Sequence, residues 1–160
     1  MESQSVGEKL GRRIQKRTMD SGLVESVGAF IYCAKTQRYL FLLRNSSKYA
    51  GTWGVVGGKV EANEQIIESL AREIEEELGG TIRGAKIIPI EKFTSDNGNF
   101  TYHTFISPVV AEFVPKLNEE HRGYCWVRLE DHPRPLHPGV WRTINFEAVA
   151  SKIKTLESIL

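Results

Sequence analysis

Short apolar segments rich in β-branched and aromatic residues alternate with polar turns along most of the chain, a pattern typical of β-strands. The predicted strands are 24–33, 39–43, 52–60, 85–91, 102–113 and 124–129. Residues 35–38 are polar and suit a hairpin turn between the first two strands. Pro89 and Pro108 fall inside predicted strands, and because proline lacks the N–H that a ladder needs, we expect edge positions or bulges there.

Two segments carry apolar residues at helical spacing instead. Residues 63–78 form the clearer helix, with Asn63 as a cap at its start and two glycines that can end it in a left-handed conformation. A closing helix is predicted over 140–160, after a proline-rich and therefore irregular loop at 132–138. The order strands, helix, strands, helix predicts a layered α/β or α+β domain.

The composition fits one globular domain. The chain has 160 residues, of which 41% are hydrophobic and 26% are charged, and this length can bury a core without disulfides. Cys33 and Cys125 have no C-x-x-C spacing and are predicted to be reduced thiols. The net charge of +1 argues against a nucleic-acid-binding protein, since these usually carry a strong basic excess. With neither a membrane-length apolar run nor a secretory signal, we expect a cytoplasmic protein.

The first twenty residues differ from the rest. They are basic and contain few large apolar side chains. This predicts a solvated tail or short helix over 1–20, with a phosphate- or partner-binding arm as the alternative. Residues 21–160 are then expected to form the single domain. The number of subunits stays open, and a homodimer is one alternative.

The helix predicted over 63–78 places three carboxylates where it should meet the rest of the domain. Glu73 and Glu77 fall at the margin of its apolar stripe, one turn apart, and Glu76 lies beside them. Like charges at this spacing repel, and partial burial increases the repulsion. Arg72 alone supplies too little positive charge to neutralise the three carboxylates. The cluster therefore suggests Mg²⁺ or Mn²⁺, which prefer oxygen ligands; a solvated acidic helix is the alternative.

The acidic cluster lies within a longer pattern of fixed spacing. Gly58 is followed after five residues by Glu64, and after seven more by the run REIEEELGG at 72–80. This pattern resembles the Nudix box, G-x5-E-x7-R-E-U-x-E-E-x-G-U, where U is a bulky aliphatic residue. It departs from the box only at Gly80. On this resemblance the chain is identified as a member of the Nudix hydrolase family.

The resemblance implies an α/β/α sandwich with a mixed sheet between helices. It also implies hydrolysis of a nucleoside diphosphate linked to another group, in which divalent ions neutralise the diphosphate and activate water. Glu73 or Glu77 is the implied base, Arg72 holds a glutamate in place, and Gly58 lets the loop approach phosphates. The implied metal ligands are Gly57 (through its carbonyl), Glu73, Glu76 and Glu77.

A second segment, at 119–126, is similar to the E-x-H-x-x-Y-x-W segment of some sugar-nucleotide Nudix enzymes. By this resemblance Glu120 is a further metal ligand and His121 a general base. The alternative is that both are solvated loop residues.

Contacts with the substrate are less strongly specified by the sequence. Arg44 ends a predicted strand and is a candidate for binding phosphate, with a plain surface position as the alternative. Trp53 and Tyr102 are candidates for stacking on a base, although Trp53 could equally belong to the core.

Taken together, the chain is predicted to cleave a small nucleotide: a nucleotide sugar, ADP-ribose or a dinucleotide. The products would be nucleoside mono- or diphosphates. The alternatives are a nucleoside triphosphate pyrophosphatase and a Nudix domain that senses a nucleotide without cleaving it.

Overall fold

The structure is a computed structural model that describes residues 22–45, 48–80, 82 and 86–160. The prediction for residues 1–20 lies outside the described residues. Seven strands of the described chain form one mixed sheet. They are β1 Val24–Cys33, β2 Arg38–Arg44, β3 Trp53–Gly54, β4 Val56–Lys59, β5 Ile88–Thr94, β6 Phe100–Val109 and β7 His121–Val127.

Strand β1 organises the sheet. Along its whole length it pairs in parallel with β6, and β6 pairs antiparallel with β5 at the sheet edge. On its other side, Ser26–Ala29 pair with β4, whereas only Tyr32 and Cys33 pair with β2. Strand β2 then continues away from β1 and pairs with β7 and β3. Because β4 and β2 occupy the same side of β1, the sheet divides between them.

Helices cover both faces of the sheet, which confirms the predicted sandwich. On one face, α1 (Ile66–Leu78) packs Leu70, Ile74 and Leu78 against the inward side chains of β1. On the other face, α2 (Pro138–Asn145) and α3 (Glu147–Ile159) cover a second apolar cluster. The side chains of β1 alternate between the two cores, as the period of a strand requires. None of the described helices is long and apolar enough to cross a bilayer.

Two predicted helix boundaries are wrong. Helix α1 begins at Ile66 rather than Asn63, because Glu68 Oε2 accepts a hydrogen bond from the Gln65 N–H and closes the first turn there. Asn63 instead has φ 66° and belongs to the preceding turn. The predicted closing helix is divided at Phe146, whose backbone is extended (φ −80°, ψ 117°).

The other end of α1 follows the prediction. Gly79 (φ 67°) and Gly80 (φ 72°) are both left-handed, a conformation that glycine adopts without strain. Pro89 lies at a register shift in the edge strand β5, as predicted. Pro108 pairs with Tyr32 of β1, beyond the last residue pair that β6 forms with β5. Cys33 and Cys125 are free thiols.

Candidate active site

Arg72 joins α1 to the loop that precedes it. Its Nε and Nη2 donate to the two carboxylate oxygens of Glu64 at 2.7 and 3.1 Å. Its Nη1 donates to Glu73 at 2.9 Å and to Glu76 at 3.2 Å, and Nη2 also reaches the Lys59 carbonyl at 3.0 Å. The hydrogen bonds from Arg72 lower the pKa of Glu64 to about 2. One guanidinium therefore fixes the loop and two of the three carboxylates of the acidic cluster.

Glu73 and Glu77 lie where α1 meets β4, and both are buried; the Glu77 side chain is 1% exposed. Burial is the largest cause that raises the pKa of each carboxyl, and the negative charge of Glu73 raises that of Glu77 further. The Gly57 N–H donates to Glu77 Oε1 at 3.3 Å. A Cβ at Gly58 would stand 2.3 Å from Glu73 Oε1, so any larger residue there would displace the Glu73 carboxylate.

The start of β7 brings His121 to the same place. Its Nδ1 lies 3.6 Å from Glu77 Oε2, and both atoms are buried with no hydrogen-bond partner among the described residues. Burial, and then the nearby charge of Arg44, lower the pKa of His121 to about 4, so the ring is neutral at pH 7. Ligand atoms of Glu77, Glu120 and His121 all lie within 4.8 Å of one another.

Two asparagines that the sequence analysis did not select hold the loop that leads into β7 and carries Glu120. Asn118 Nδ2 donates to the Glu76 carbonyl on α1 at 3.0 Å, while its Oδ1 accepts from the Glu120 N–H at 3.0 Å. Asn45 donates to the Glu120 carbonyl through its backbone N–H at 2.8 Å. A short polar residue next to a predicted strand is the only sequence signal for such a role, and it does not identify the partner.

The predicted substrate contacts divide into two groups. Arg44 pairs with His121 across β2 and β7, and its charge also affects the pKa of Tyr102 on β6. Arg44 therefore lies beside His121, and Tyr102 lies within electrostatic reach of Arg44 and Glu77. Trp53 instead packs against the apolar cluster beneath α2 and α3, which is the core position given as its alternative.

The residues present fit a divalent cation. Glu77 offers a buried carboxylate oxygen without a partner, and Glu120 and His121 place one oxygen and one nitrogen ligand beside it. Carboxylate and imidazole ligands both suit divalent metals of the Mn²⁺ type, and carboxylates suit Mg²⁺. The other two predicted carboxylate ligands, Glu73 and Glu76, are bonded to Arg72 and are not among these three residues. Gly57 contacts Glu77 through its N–H, and the predicted role of its carbonyl stays a prediction.

Known proteins resemble the chain in both sequence and structure. The NUDIX domain family model matches residues 22–146. The nucleoside triphosphatase NudI of Escherichia coli K12 is 31% identical over 129 residues, covering 74% of this chain and 86% of that protein. The MutT protein of Methanosarcina mazei Go1 is 34% identical with a TM-score of 0.62, covering 82% of this chain and 96% of that one. A MutT NUDIX hydrolase of Burkholderia pseudomallei is 26% identical with a TM-score of 0.58, covering 79% and 95%. The chain therefore belongs to the Nudix family of hydrolases, which act on phosphate anhydrides.

Proposed function

We propose that the chain hydrolyses nucleoside triphosphates with the help of a divalent cation, releasing a nucleoside monophosphate and pyrophosphate. The observation that carries the chemistry is the buried Glu77 carboxylate, which has an unpartnered oxygen beside Glu120 and His121. The substrate class is supported by NudI, a nucleoside triphosphatase that is 31% identical to the chain. This support favours the alternative of the sequence analysis over its first choice.

The acidic side chains have different tasks in this proposal. Glu77 and Glu120, together with His121, would hold the cation, which when bound would neutralise the phosphates and activate water. Glu73 lies one turn before Glu77 on the same helix and is held by Arg72. The Gly57 N–H fixes one oxygen of Glu77, so the other oxygen points towards Glu120 and His121. Arg72 keeps Glu73 oriented from the side of the helix that contacts the loop preceding α1.

The role of proton acceptor falls to a carboxylate of α1 rather than to His121. A base works best when its pKa lies near the working pH. Burial raises the pKa values of both Glu73 and Glu77 above the ordinary value for a carboxyl, and the negative charge of Glu73 raises that of Glu77 further. The pKa of His121, about 4, makes it a weak base but keeps the ring neutral and able to bind a cation or accept a hydrogen bond.

The nucleotide-sugar or dinucleotide class is the second candidate, and one observation favours it. In the segment that resembles sugar-nucleotide enzymes, His121 is buried beside Glu77 and is not a solvated loop residue, whereas Glu120 is exposed but lies next to both. Arg44, next to His121 in the paired strands, would meet a phosphate in either class.

A substrate panel tests the proposal. The common ribo- and deoxyribonucleoside triphosphates are compared with nucleotide sugars, ADP-ribose and dinucleoside polyphosphates, each with Mg²⁺ or Mn²⁺, and the same reactions with excess chelator serve as controls. We expect metal-dependent release of a nucleoside monophosphate and pyrophosphate from triphosphates, with the highest kcat/KM there. A higher kcat/KM for a nucleotide sugar or dinucleotide would select the second candidate. Absence of turnover throughout the panel would contradict both.

A further inference from the structure

The hydroxyl of Tyr102 rests on the backbone of β1. Tyr102 on β6 is in register with Ser26 of β1, and its side chain reaches along the strand to Gly28. A Cβ at Gly28 would stand 2.0 Å from the Tyr102 hydroxyl oxygen and 2.9 Å from Cζ. Any other residue at position 28 would therefore push the ring away, which explains why a glycine occupies the middle of a strand.

The same glycine leads to the acidic cluster. Gly28 pairs with Gly57 across β1 and β4, and the Gly57 N–H donates to Glu77 Oε1 at 3.3 Å. Gly57 is equally confined, since a Cβ there would stand 2.2 Å from the Val27 carbonyl oxygen. Two neighbouring glycines thus separate the Tyr102 hydroxyl from the Glu77 carboxylate.

The charges around Tyr102 indicate what the hydroxyl meets. Burial, followed by the negative charge of Glu77, raises the pKa of Tyr102 to about 12, whereas Arg44 opposes this shift. The hydroxyl therefore stays protonated at neutral pH and can donate a hydrogen bond. The hydroxyl thus lies within electrostatic reach of Arg44, which can attract a phosphate, and of the predicted cation ligand Glu77.

We propose that Tyr102 is a substrate-binding residue whose hydroxyl donates to a phosphate oxygen of the diphosphate, and that Gly28 is the positioning residue that admits it. The inference rests on the proposed function, because it takes the diphosphate to lie beside Glu77. It also gives Tyr102 a role other than base stacking: the hydroxyl, rather than the face of the ring, makes the contact.

The test measures binding of inorganic pyrophosphate by calorimetry in the presence of Mg²⁺. Tyr102→Phe removes only the hydroxyl and is expected to weaken binding about tenfold or more, the usual effect of losing a hydrogen bond to a charged group. Gly28→Ala should weaken binding as well, because it displaces the hydroxyl. In the Tyr102→Phe background, Gly28→Ala should add a smaller loss than it causes alone. Tyr124→Phe, at an exposed tyrosine on β7, is the matched control and should bind like the unchanged protein.

The unliganded melting temperature of each variant is measured alongside, so that a packing defect is recognised. If Tyr102→Phe lowers this temperature but leaves the Kd for pyrophosphate unchanged, the hydroxyl serves packing only and the inference is overturned. Failure of the unchanged protein to bind pyrophosphate with Mg²⁺ would overturn it too. The hydrolysis panel is read independently: loss of pyrophosphate binding in Tyr102→Phe supports the inference even if nucleoside triphosphates are not the preferred substrates.

Discussion

The two ends of the acidic cluster on α1 differ in what balances their negative charge. At the loop end, Arg72 forms hydrogen bonds with Glu64, Glu73 and Glu76. At the other end, Glu77 is more deeply buried, and its neighbours are a neutral histidine and another carboxylate, Glu120. Among the residues that the structure describes, Arg72 therefore neutralises one end of the cluster, whereas no arginine or lysine forms an ion pair with Glu77 at the other end.

The difference in charge balance between the two ends indicates that one end has a structural role and the other a chemical role. A buried carboxylate is stable when it is paired and hydrogen-bonded, and the Arg72 end meets that condition. A buried carboxylate without a cation is unfavourable, and its pKa rises, as it does for Glu77. We infer that the Arg72 end sets the geometry of the loop, whereas the Glu77 end is left open for a metal ion.

Glu77→Gln is the substitution that we expect to have the largest effect, because it changes the end of the cluster that Arg72 does not neutralise. We expect kcat to fall about a thousandfold or more, equivalent to roughly 4 kcal/mol of transition-state stabilisation. The fold should persist, because a neutral amide of similar shape removes a buried charge. Steady-state hydrolysis of the preferred triphosphate and the melting temperature measure the two effects.

Glu75→Gln is the matched control for that variant. Glu75 lies on the same helix but faces solvent, so its loss should leave kcat within about twofold, as surface substitutions usually have small effects. Full activity in Glu77→Gln would show that the uncompensated end of the cluster does not carry the chemistry.

Arg72→Ala tests the neutralised end and should have a smaller effect on catalysis. Without the guanidinium, the loop carboxylates repel one another and Glu73 loses its orientation. We expect about a hundredfold loss of kcat/KM together with a loss of about 2 kcal/mol in the free energy of unfolding, since the pairs are only partly buried. Chemical denaturation and kinetics measure these losses.

Arg38→Ala provides the comparison, since Arg38 pairs with Glu112 away from the acidic cluster. It should lower stability slightly and leave kcat/KM unchanged. Unchanged kcat/KM in Arg72→Ala would show that the loop geometry set by Arg72 does not matter for the reaction. It would contradict our interpretation of the Arg72 end of the cluster.

The local part of this architecture could be predicted from the sequence, and the non-local part could not. The C-terminal end of α1 follows from two adjacent glycines. Its start was misplaced because Asn63 is a good cap in isolation, whereas the bond between Gln65 and Glu68 decides the boundary. Local capping preferences compete, and the one that closes the first turn prevails.

The contact between α1 and β7 belongs to the non-local part of the architecture, which could not be predicted from the sequence. His121 could be proposed as a site residue by resemblance, but its approach to Glu77 depends on β2 leaving β1 and pairing with β7. That pairing joins distant segments, which no spacing in the sequence encodes. Gly28 was missed for the same reason, since an isolated glycine in a strand signals a close approach but not which side chain approaches.

The smallest expected effect is on stability, and it depends on pH. Folding raises the pKa of Glu77 above the ordinary value of 4.5. The stability that Glu77 contributes to the folded state is therefore fully present below pH 4.5 and is lost as the pH rises towards the raised pKa. His121 has the opposite sign: folding lowers its pKa from 6.5 to about 4, so its contribution changes only below 6.5. Between about pH 7 and pH 8.5 the loss of stability therefore reports the carboxylates.

Melting curves without metal should consequently shift to lower temperature over this pH interval. Mg²⁺ at about one hundred times its Kd should raise the melting temperature by about 5 °C or more, and by more at the upper pH, because the cation balances the ionised carboxylates. In Glu77→Gln both the pH slope and the Mg²⁺ effect should be reduced. A metal-induced shift that is equal at both pH values and persists in Glu77→Gln would place the cation elsewhere, and the comparison between the two ends of the cluster would no longer hold.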